Sequence, residues 1–516
     1  MKLGSTSTTS GLRLVAIVLA LMGCMASGTS AFAQSFRVQC PDTTPLHPTP
    51  GDTSKGSIKC QHIGGGDGFA TMGDGTQIYL FGFAPLSGLG DPTNAATASA
   101  APGILTGKPG TQTPSVFKST TDARRARLEP ADIMNNGVLY SNAPAPLMAI
   151  DEDDEFFLTL SNVGQIMRPD LFEQHTVHFH GYPNASSFFD GVPDASVAIN
   201  IAGSFTYYYT APDAGTYFWH CHIAPPEHLQ MGMVGQIFVR PRQNRLASGS
   251  SLFDALKTAN NANRTRIADT TVATADSCSD LLCTGATPPP AVNTGATHVT
   301  GSTYAYNDGD GSTRYDYDVP IQMMGFDPNF HFVGMTFNPE AFVDMKDKYF
   351  LLNGRSYPDT VNDNVNNGGA AGIGGLVPDG PLATLGADGA SRPSQPLHTL
   401  ITLDKTNGKT RALLRISDLS VTEHTTLATV GIPMRVIAQN ARLLRDMAGN
   451  NLYYDTNSIT LGGGESTDVI LDVGDVVYSG CTATTPCTFF LYSTNLDHLS
   501  NDAENFGGMM TEIVVK

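Results

Sequence analysis

Two short stretches decide the reading of this 516-residue chain: His175-Thr176-Val177-His178-Phe179-His180-Gly181, and Trp219-His220-Cys221-His222 followed by His228 and Met233. Six of the 13 histidines fall between His175 and His228, and Cys221 lies in the same window. Imidazole and thiol concentrated in this way are what a metal site requires. On a strand, residues two apart share a face and neighbours point to opposite faces. His178 and His180 therefore face one way and His175 the other, while His220 and His222 face together and Cys221 points away. Pairing the two strands sorts the side chains into four imidazoles (His178, His180, His220, His222) and a mixed set (His175, Cys221, His228, Met233).

Two imidazoles, one thiolate and a thioether are the ligand set of a blue-copper electron-transfer centre. Four imidazoles suit copper that meets oxygen species, and Cys221, covalently flanked by His220 and His222, offers a short through-bond route between the two sets. The segment from His175 to Met233 resembles the copper-binding signature of the multicopper oxidases, a family of tandem cupredoxin domains. The resemblance implies type 1 copper at His175, Cys221, His228 and Met233, and half of a trinuclear cluster at His178, His180, His220 and His222. Asp190, in Asp190-Gly191-Val192-Pro193, sits where many of these oxidases keep a carboxylate that helps deliver protons to bound oxygen; the same tetrapeptide is also good turn chemistry. Five residues separate His222 from His228 where many laccases have three, a change that reshapes the rim and removes no ligand.

Outward from this window, Phe156 to Leu160 and Ser204 to Thr210 read as strands, and Pro212-Asp213-Ala214-Gly215 as a turn, so that residues 204–222 look like a hairpin. Residues 241–319 read as a linker rich in Ser, Thr, Ala and Asn, with Pro288-Pro289-Pro290 and a short helix near Leu252 to Lys257. Asn136 to Tyr140 echoes Asn353 to Tyr357, Leu160-Ser161-Asn162 echoes Ile416-Ser417-Asp418, and Met231-Gly232-Met233 echoes Gly508-Met509. Three echoes in one order predict two copies of one module. The expectation is an all-β chain of two tandem cupredoxin-like Greek-key β-sandwiches, the copper-binding one at 131–240 and a second at 320–516. Residues 34–130 read as an N-terminal extension and insertion, with loops at Gly64-Gly65-Gly66 and in the Ala-rich stretch near 95–101.

In the second module the family pattern breaks. His424 to Thr429 stands where His175 to His180 stood, and Tyr492-Ser493-Thr494 where His220-Cys221-His222 stood. The family's cluster draws on twice as many His-x-His triplets as this chain supplies, so a complete cluster of the usual kind cannot be assembled. His424, His498 and Met509 remain near former type 1 positions and read as vestigial. His47, His62, His298, His331 and His398 read as ordinary core or surface residues, Gly368 to Gly375 as a loop without phosphate-binding chemistry, and Asp151 to Glu155 as a solvated strand entrance.

Composition agrees. With 15% charged and 41% hydrophobic residues the chain is neither disordered nor membrane-embedded, and 53 Gly with 32 Pro favour short strands joined by turns. A net charge of −18 is the wrong sign for gripping phosphate backbones, which argues against nucleic acid. Residues 1–33 carry Lys2 and Arg13, an apolar run from Leu14 to Met22 and the triplet Ala31-Phe32-Ala33, the layout of a cleaved secretory signal. That run is too short to span a bilayer. Export to the periplasm or outside follows, with lipoprotein processing at Cys24 as the runner-up. Sequence proximity pairs Cys40 with Cys60, Cys278 with Cys283 and Cys481 with Cys487, leaving Cys221 alone.

The function expected is one-electron oxidation of a phenol, metal ion or redox protein at a type 1 copper, coupled to oxygen reduction at the imidazole copper site. Two-domain members of the family often place their second site between subunits, which makes a homotrimer an assembly to test. The competing function is a blue-copper electron-transfer or copper-binding protein without oxidase turnover. Copper nitrite reductase, also a two-domain trimer, is disfavoured because that family has Asp where this chain has His178 and does not use a second His after the cysteine.

Overall fold

Eight strands build the first sandwich. β1 (Ile58–Thr71), β2 (Gln77–Pro85), β4 (Glu155–Gly164) and β6 (Ser204–Thr210) form one sheet in the order β2-β1-β4-β6. β3 (Met148–Asp151), β5 (His178–Phe179), β7 (Gly215–His220) and β8 (Val234–Arg240) form the other in the order β3-β8-β7-β5, with helix α1 (Pro225–Gln230) between β7 and β8. Tyr207 and Tyr209 of one sheet meet Tyr217 and Trp219 of the other in a shared core with Phe81, Phe83 and Phe156. The structure is a computed structural model that describes residues 39–53, 55–86, 133–134, 137–182, 186–264, 295–336, 341–361, 398–446 and 448–516. The secretory signal, Cys24, the 95–101 stretch, Asn136, Cys278 and Cys283, Pro288 to Pro290 and Gly368 to Gly375 lie outside the described residues.

The first sandwich does not begin at residue 131, because β1 and β2 make up half of one of its sheets and are no N-terminal extension. Three local expectations are corrected as well. Gly64-Gly65-Gly66 is strand, lying inside β1, which runs antiparallel to β2 and parallel to β4 with a register shift between Gly65 and Gly66. These glycines serve close approach: a Cβ on Gly65 would lie 2.8 Å from the His175 ring. Second, residues 204–222 are not a hairpin, because β6 pairs with β4 while β7 pairs with β5 and β8. The turn at 212–215 instead carries the chain from one sheet to the other, as the convergence of both strands on one core demands. Third, Asp151 to Glu155 is not solvated. Glu152 accepts from the Ala214 and Arg242 N–H groups, Asp154 from Ser57 and Asp151, and Asp153 pairs with Arg242 and Arg245. Buried carboxylates survive because they are bonded in this way.

Helix α2 (Leu252–Arg264) begins at the predicted position, and a short ribbon of β9 (Thr303–Tyr304) and β10 (Arg314–Tyr315) leads into the second sandwich. There β11 (Tyr317–Phe326), β12 (Tyr349–Leu352), β14 (Arg411–Asp418) and β20 (Ser466–Asp472) run in the order β12-β11-β14-β20. Facing them, β13 (Ile401–Leu403), β15 (Thr425–Thr429), β21 (Cys487–Ser493) and β22 (Met510–Val515) run in the order β13-β22-β21-β15. Both orders reproduce the first sandwich. β16 (Met434–Gln439), with β17 (Arg442–Leu443) and β18 (Tyr454–Thr456), extends one sheet, and β19 (Ser458–Leu461) extends the other. The repeat holds at atomic level. Asn162 donates its N–H to Gly203 and accepts from Ala202, while Asp418, its counterpart in the second sequence echo, donates to Glu465 and accepts from Gly464.

Every residue of β7 is buried because its outer face is covered by the second sandwich. Thr216 donates to Asp468 (2.6 Å) and Gln236 of β8 donates to Ser417 (2.8 Å) and the Arg415 carbonyl (3.0 Å). Arg415, fully buried, pairs with Asp318 and lies 4.5 Å above the Phe238 ring. Disulfides join Cys40 to Cys60 and Cys481 to Cys487, and Cys221 is free and buried. No described helix is long and apolar enough to cross a membrane.

Candidate metal centre

Strand parity and the crossing of β5 and β7 decide which side chains meet. His178 pairs with His220 across the two strands, so ligands on one face converge and those on the other are carried into the core. Two groups result, in each of which the ligand atoms lie within 4.8 Å of one another: His175, Cys221 and His228, and His178, His180 and His220.

The first group is wholly buried, together with Met233. Cys221 Sγ is 3.3 Å from Nδ1 of His228 and accepts from the Thr176 N–H at 3.4 Å. The Cys221 N–H donates to the Met233 carbonyl (3.0 Å) and the Met233 N–H to the His228 carbonyl (2.8 Å), which closes the loop around the site. Burial alone would raise the Cys221 thiol, but the neighbouring His228 and His175 hold it well below the ordinary thiol range. Burial likewise opposes a charge on His228, and the Cys221 thiolate and Glu173 carboxylate override it, raising that imidazole. A thiolate is the form of cysteine that binds metal. Neither ring nitrogen of His175 finds an oxygen or nitrogen partner although the residue is fully buried. Orphaned buried imidazole is rare without a metal or water to satisfy it, so the donor set fits copper.

In the second group the tautomers are fixed from behind. Nδ1 of His178 donates to the Asp190 carbonyl at 2.8 Å, and Nδ1 of His220 donates to the Cys221 carbonyl at 2.7 Å, which leaves Nε2 of each ring for the site. Nε2 of His180 is 2.8 Å from Nε2 of His220. Burial lowers His180 to about 4 and His220 to about 3, keeping both neutral with a lone pair free. His222 meets the His178 ring edge to face at 5.1 Å between centres and stacks on His220 at 5.5 Å, outside the tight group of three. The Asp190 carboxylate stands 3.5 Å from Nδ1 of His178, behind the ring.

The family model for multicopper oxidase matches residues 124–244. Residues 124–244 are therefore similar to a multicopper oxidase domain, and curated laccases and multicopper oxidases match within this part of the chain. Laccase abr2 of Aspergillus fumigatus is 31% identical over 113 residues, 22% of this chain and 18% of that one. Multicopper oxidase MmcO of Mycobacterium tuberculosis is 29% identical over 106 residues, 20% of this chain and 19% of that one. The matched segments thus make up less than a fifth of these curated relatives' own length. Among solved structures, a blue copper oxidase from Nitrosomonas europaea aligns with a TM-score of 0.46 and 16% identity, over 89% of this chain and 86% of that one.

The second sandwich, outside the matched residues, repeats the scaffold of the Cys221 site without its ligands. Ser493 donates its N–H to Met509, and Met509 donates to His498, as Cys221 does to Met233 and Met233 to His228. The β15–β21 register sets Ala428 opposite Tyr492 where β5–β7 sets His178 opposite His220. Counting along each strand places Thr425 at the His175 position, so His424 is one residue out of the register the sequence suggested. It lines, with His180, Phe218, Pro225 and Thr422, a cleft of about 360 Å³ between the sandwiches. Glu173 escaped the sequence reading. Its carboxylate is 3.6 Å from Nε2 of His228, and the same parity that separates His175 from His178 puts Glu173 on the His175 face.

Proposed function

We propose that the protein is an exported copper-dependent oxidoreductase that takes single electrons from a donor at a type 1 copper and delivers them to oxygen at the imidazole group. The observation that carries this reading is the connection between the two groups: Cys221 belongs to one, its neighbour His220 to the other, and the His220 ring donates to the Cys221 carbonyl at 2.7 Å. Copper supplies the one-electron couple, for which mixed nitrogen and sulfur ligands suit both redox states. His175, Cys221, His228 and Met233 would hold it at the donor side, and His178, His180, His220 and His222 at the oxygen side. Cys221 and the His220 hydrogen bond provide the electron path. Asp190 holds the His178 tautomer through its carbonyl and keeps a carboxylate beside the same ring as a proton donor.

A second reading, electron transfer without oxygen turnover, is favoured by the ligand loss in the second sandwich, where Ala428 and Tyr492 occupy the His178 and His220 positions. Copper per chain on the metal-loaded protein, with visible and spin-resonance spectra and oxygen uptake from a reducing dye, separates the two. A blue band with more than one copper and oxygen uptake supports the oxidase. One blue copper without uptake leaves electron transfer, and absence of the band sinks the role given to Cys221.

A further inference from the structure

Apart from their metal ligands, the two sandwiches differ in how paired edge strands connect. β1 turns into β2 within residues 72–76, whereas the connection from β11 to β12 carries helix α3 (Pro328–Met335) onto the first sandwich. Asp327 ties off this excursion. One carboxylate oxygen caps α3 by accepting from the N–H groups of Asn329 (2.8 Å) and Phe330 (3.2 Å), and the other accepts from Lys346 at 2.7 Å.

α3 lands on α1, the helix that carries His228. The His331 ring lies between two backbone carbonyls, Nδ1 at 2.5 Å from that of Tyr79 on β2 and Nε2 at 2.9 Å from that of Gln230; burial lowers the imidazole to about 4, so the neutral ring donates to one of the two and packs against the other. The Gln230 side chain donates to Asp347 at 2.7 Å, so this last residue of α1 is held by both main chain and side chain. Arg168 donates to the Gly334 carbonyl, and a Cβ on Gly334 would lie 3.1 Å from Met231. Phe330 joins Met231 and Met233 in the first sandwich's core.

α1 cannot hold itself. It is six residues long, starts from a left-handed Ala224 (φ 36°) and has no side-chain N-cap, far below the length at which a helix persists without tertiary support. We propose that the β11–β12 connection positions the Cys221–His228 centre, and that His331 is the positioning residue through which the second sandwich, itself stripped of copper ligands, does so. The polar contacts of His331 are with the Tyr79 and Gln230 carbonyls and not with a candidate ligand. His331 fixes the main chain two residues beyond His228 and thereby the approach of that ring to Cys221.

The test compares His331→Phe, which keeps a ring and loses both polar contacts, with Thr216→Val, which cuts a different bond of the same joint. In metal-free mature protein, alkylation of Cys221 by iodoacetamide, followed by mass mapping, is expected to be about tenfold faster in His331→Phe through local opening, and unchanged in Thr216→Val. On copper-loaded protein, an arm that rests on the proposed type 1 assignment, the blue band and its spin-resonance splitting shift in His331→Phe and hold in Thr216→Val. Equal acceleration in both variants, or none in His331→Phe, overturns the proposal. If His331→Phe does not fold, His331→Met decides, since its flexible side chain fills the space without a donor and its alkylation rate must exceed wild type. A wild-type protein without a blue band would sink the type 1 assignment, while the alkylation arm still judges His331.

Discussion

Ser493 Oγ lies 3.0 Å from Nδ1 of His498, the relationship that Cys221 Sγ has with Nδ1 of His228 at 3.3 Å. The carboxylate behind the ring is repeated as well, Glu423 standing 3.2 Å from Nε2 of His498 as Glu173 stands 3.6 Å from Nε2 of His228. What the second sandwich lacks is the thiolate and the imidazole at Thr425. Thr425→His with Ser493→Cys should therefore gain a second copper and about double the blue absorbance per chain, at an overpacking cost of about 1–3 kcal/mol for the larger ring. Copper per chain and the visible spectrum read the outcome. A folded double variant with unchanged copper content would show that the resemblance stops at the backbone.

Gly191 sets the position of the His175 to His180 segment. Its φ is +79°, and a Cβ there would lie 1.9 Å from the Val177 carbonyl oxygen. Gly191→Ala should displace that segment and lower copper retention at the imidazole group. Gly181→Ala, also at positive φ but with nothing within 4 Å of its added Cβ, should cost only about 1–2 kcal/mol. Metal content after dialysis checks both. Equal retention by the two variants would remove the steric argument.

The all-β class and the sorting of His175, Cys221 and His228 from His178, His180 and His220 were legible because they depend on short-range rules, parity along a strand and spacing between side chains. What the sequence hid depends on partners far away in the chain. Gly64 to Gly66 reads as loop until the His175 ring is seen packed against Gly65, and Asp151 to Glu155 reads as solvated until Ala214, Arg242 and Ser57 supply its hydrogen bonds. His331 looked like an ordinary core histidine, since nothing around residue 331 announces the carbonyls of Tyr79 and Gln230. The one-residue error at His424 arose where the strand echo lacks a histidine pair to fix its register.

Asp190 lies behind His178 rather than among the converging nitrogens, so its side chain is separable from metal binding. Asp190→Asn keeps the carbonyl that accepts from His178 and removes the ionisable oxygen. Oxygen uptake should fall about 10- to 100-fold, while the blue band proposed for His175, Cys221, His228 and Met233 should stay unchanged. Steady-state uptake beside the visible spectrum checks this, and an unaltered rate would reduce Asp190 to a turn residue.

Asp347 holds the far side of Gln230 and carries a measurable pH signature. Burial raises its carboxyl to about 7, against the hydrogen bond from Thr422, from an ordinary value of about 3.9. Between those values the unfolded chain has released the proton and the folded chain retains it, so rising pH favours unfolding. The group's contribution to stability is full below about pH 4 and lost above about pH 7. Asp347→Asn cannot ionise and can still accept from Gln230. Its stability relative to wild type should therefore climb across this window, by at most about 1.4 kcal/mol for each pH step of one. Urea unfolding of the metal-free proteins at pH 4.5 and 7.5 gives the difference directly, and a difference that is the same at both pH values would mean that Asp347 is ionised at no unusual cost.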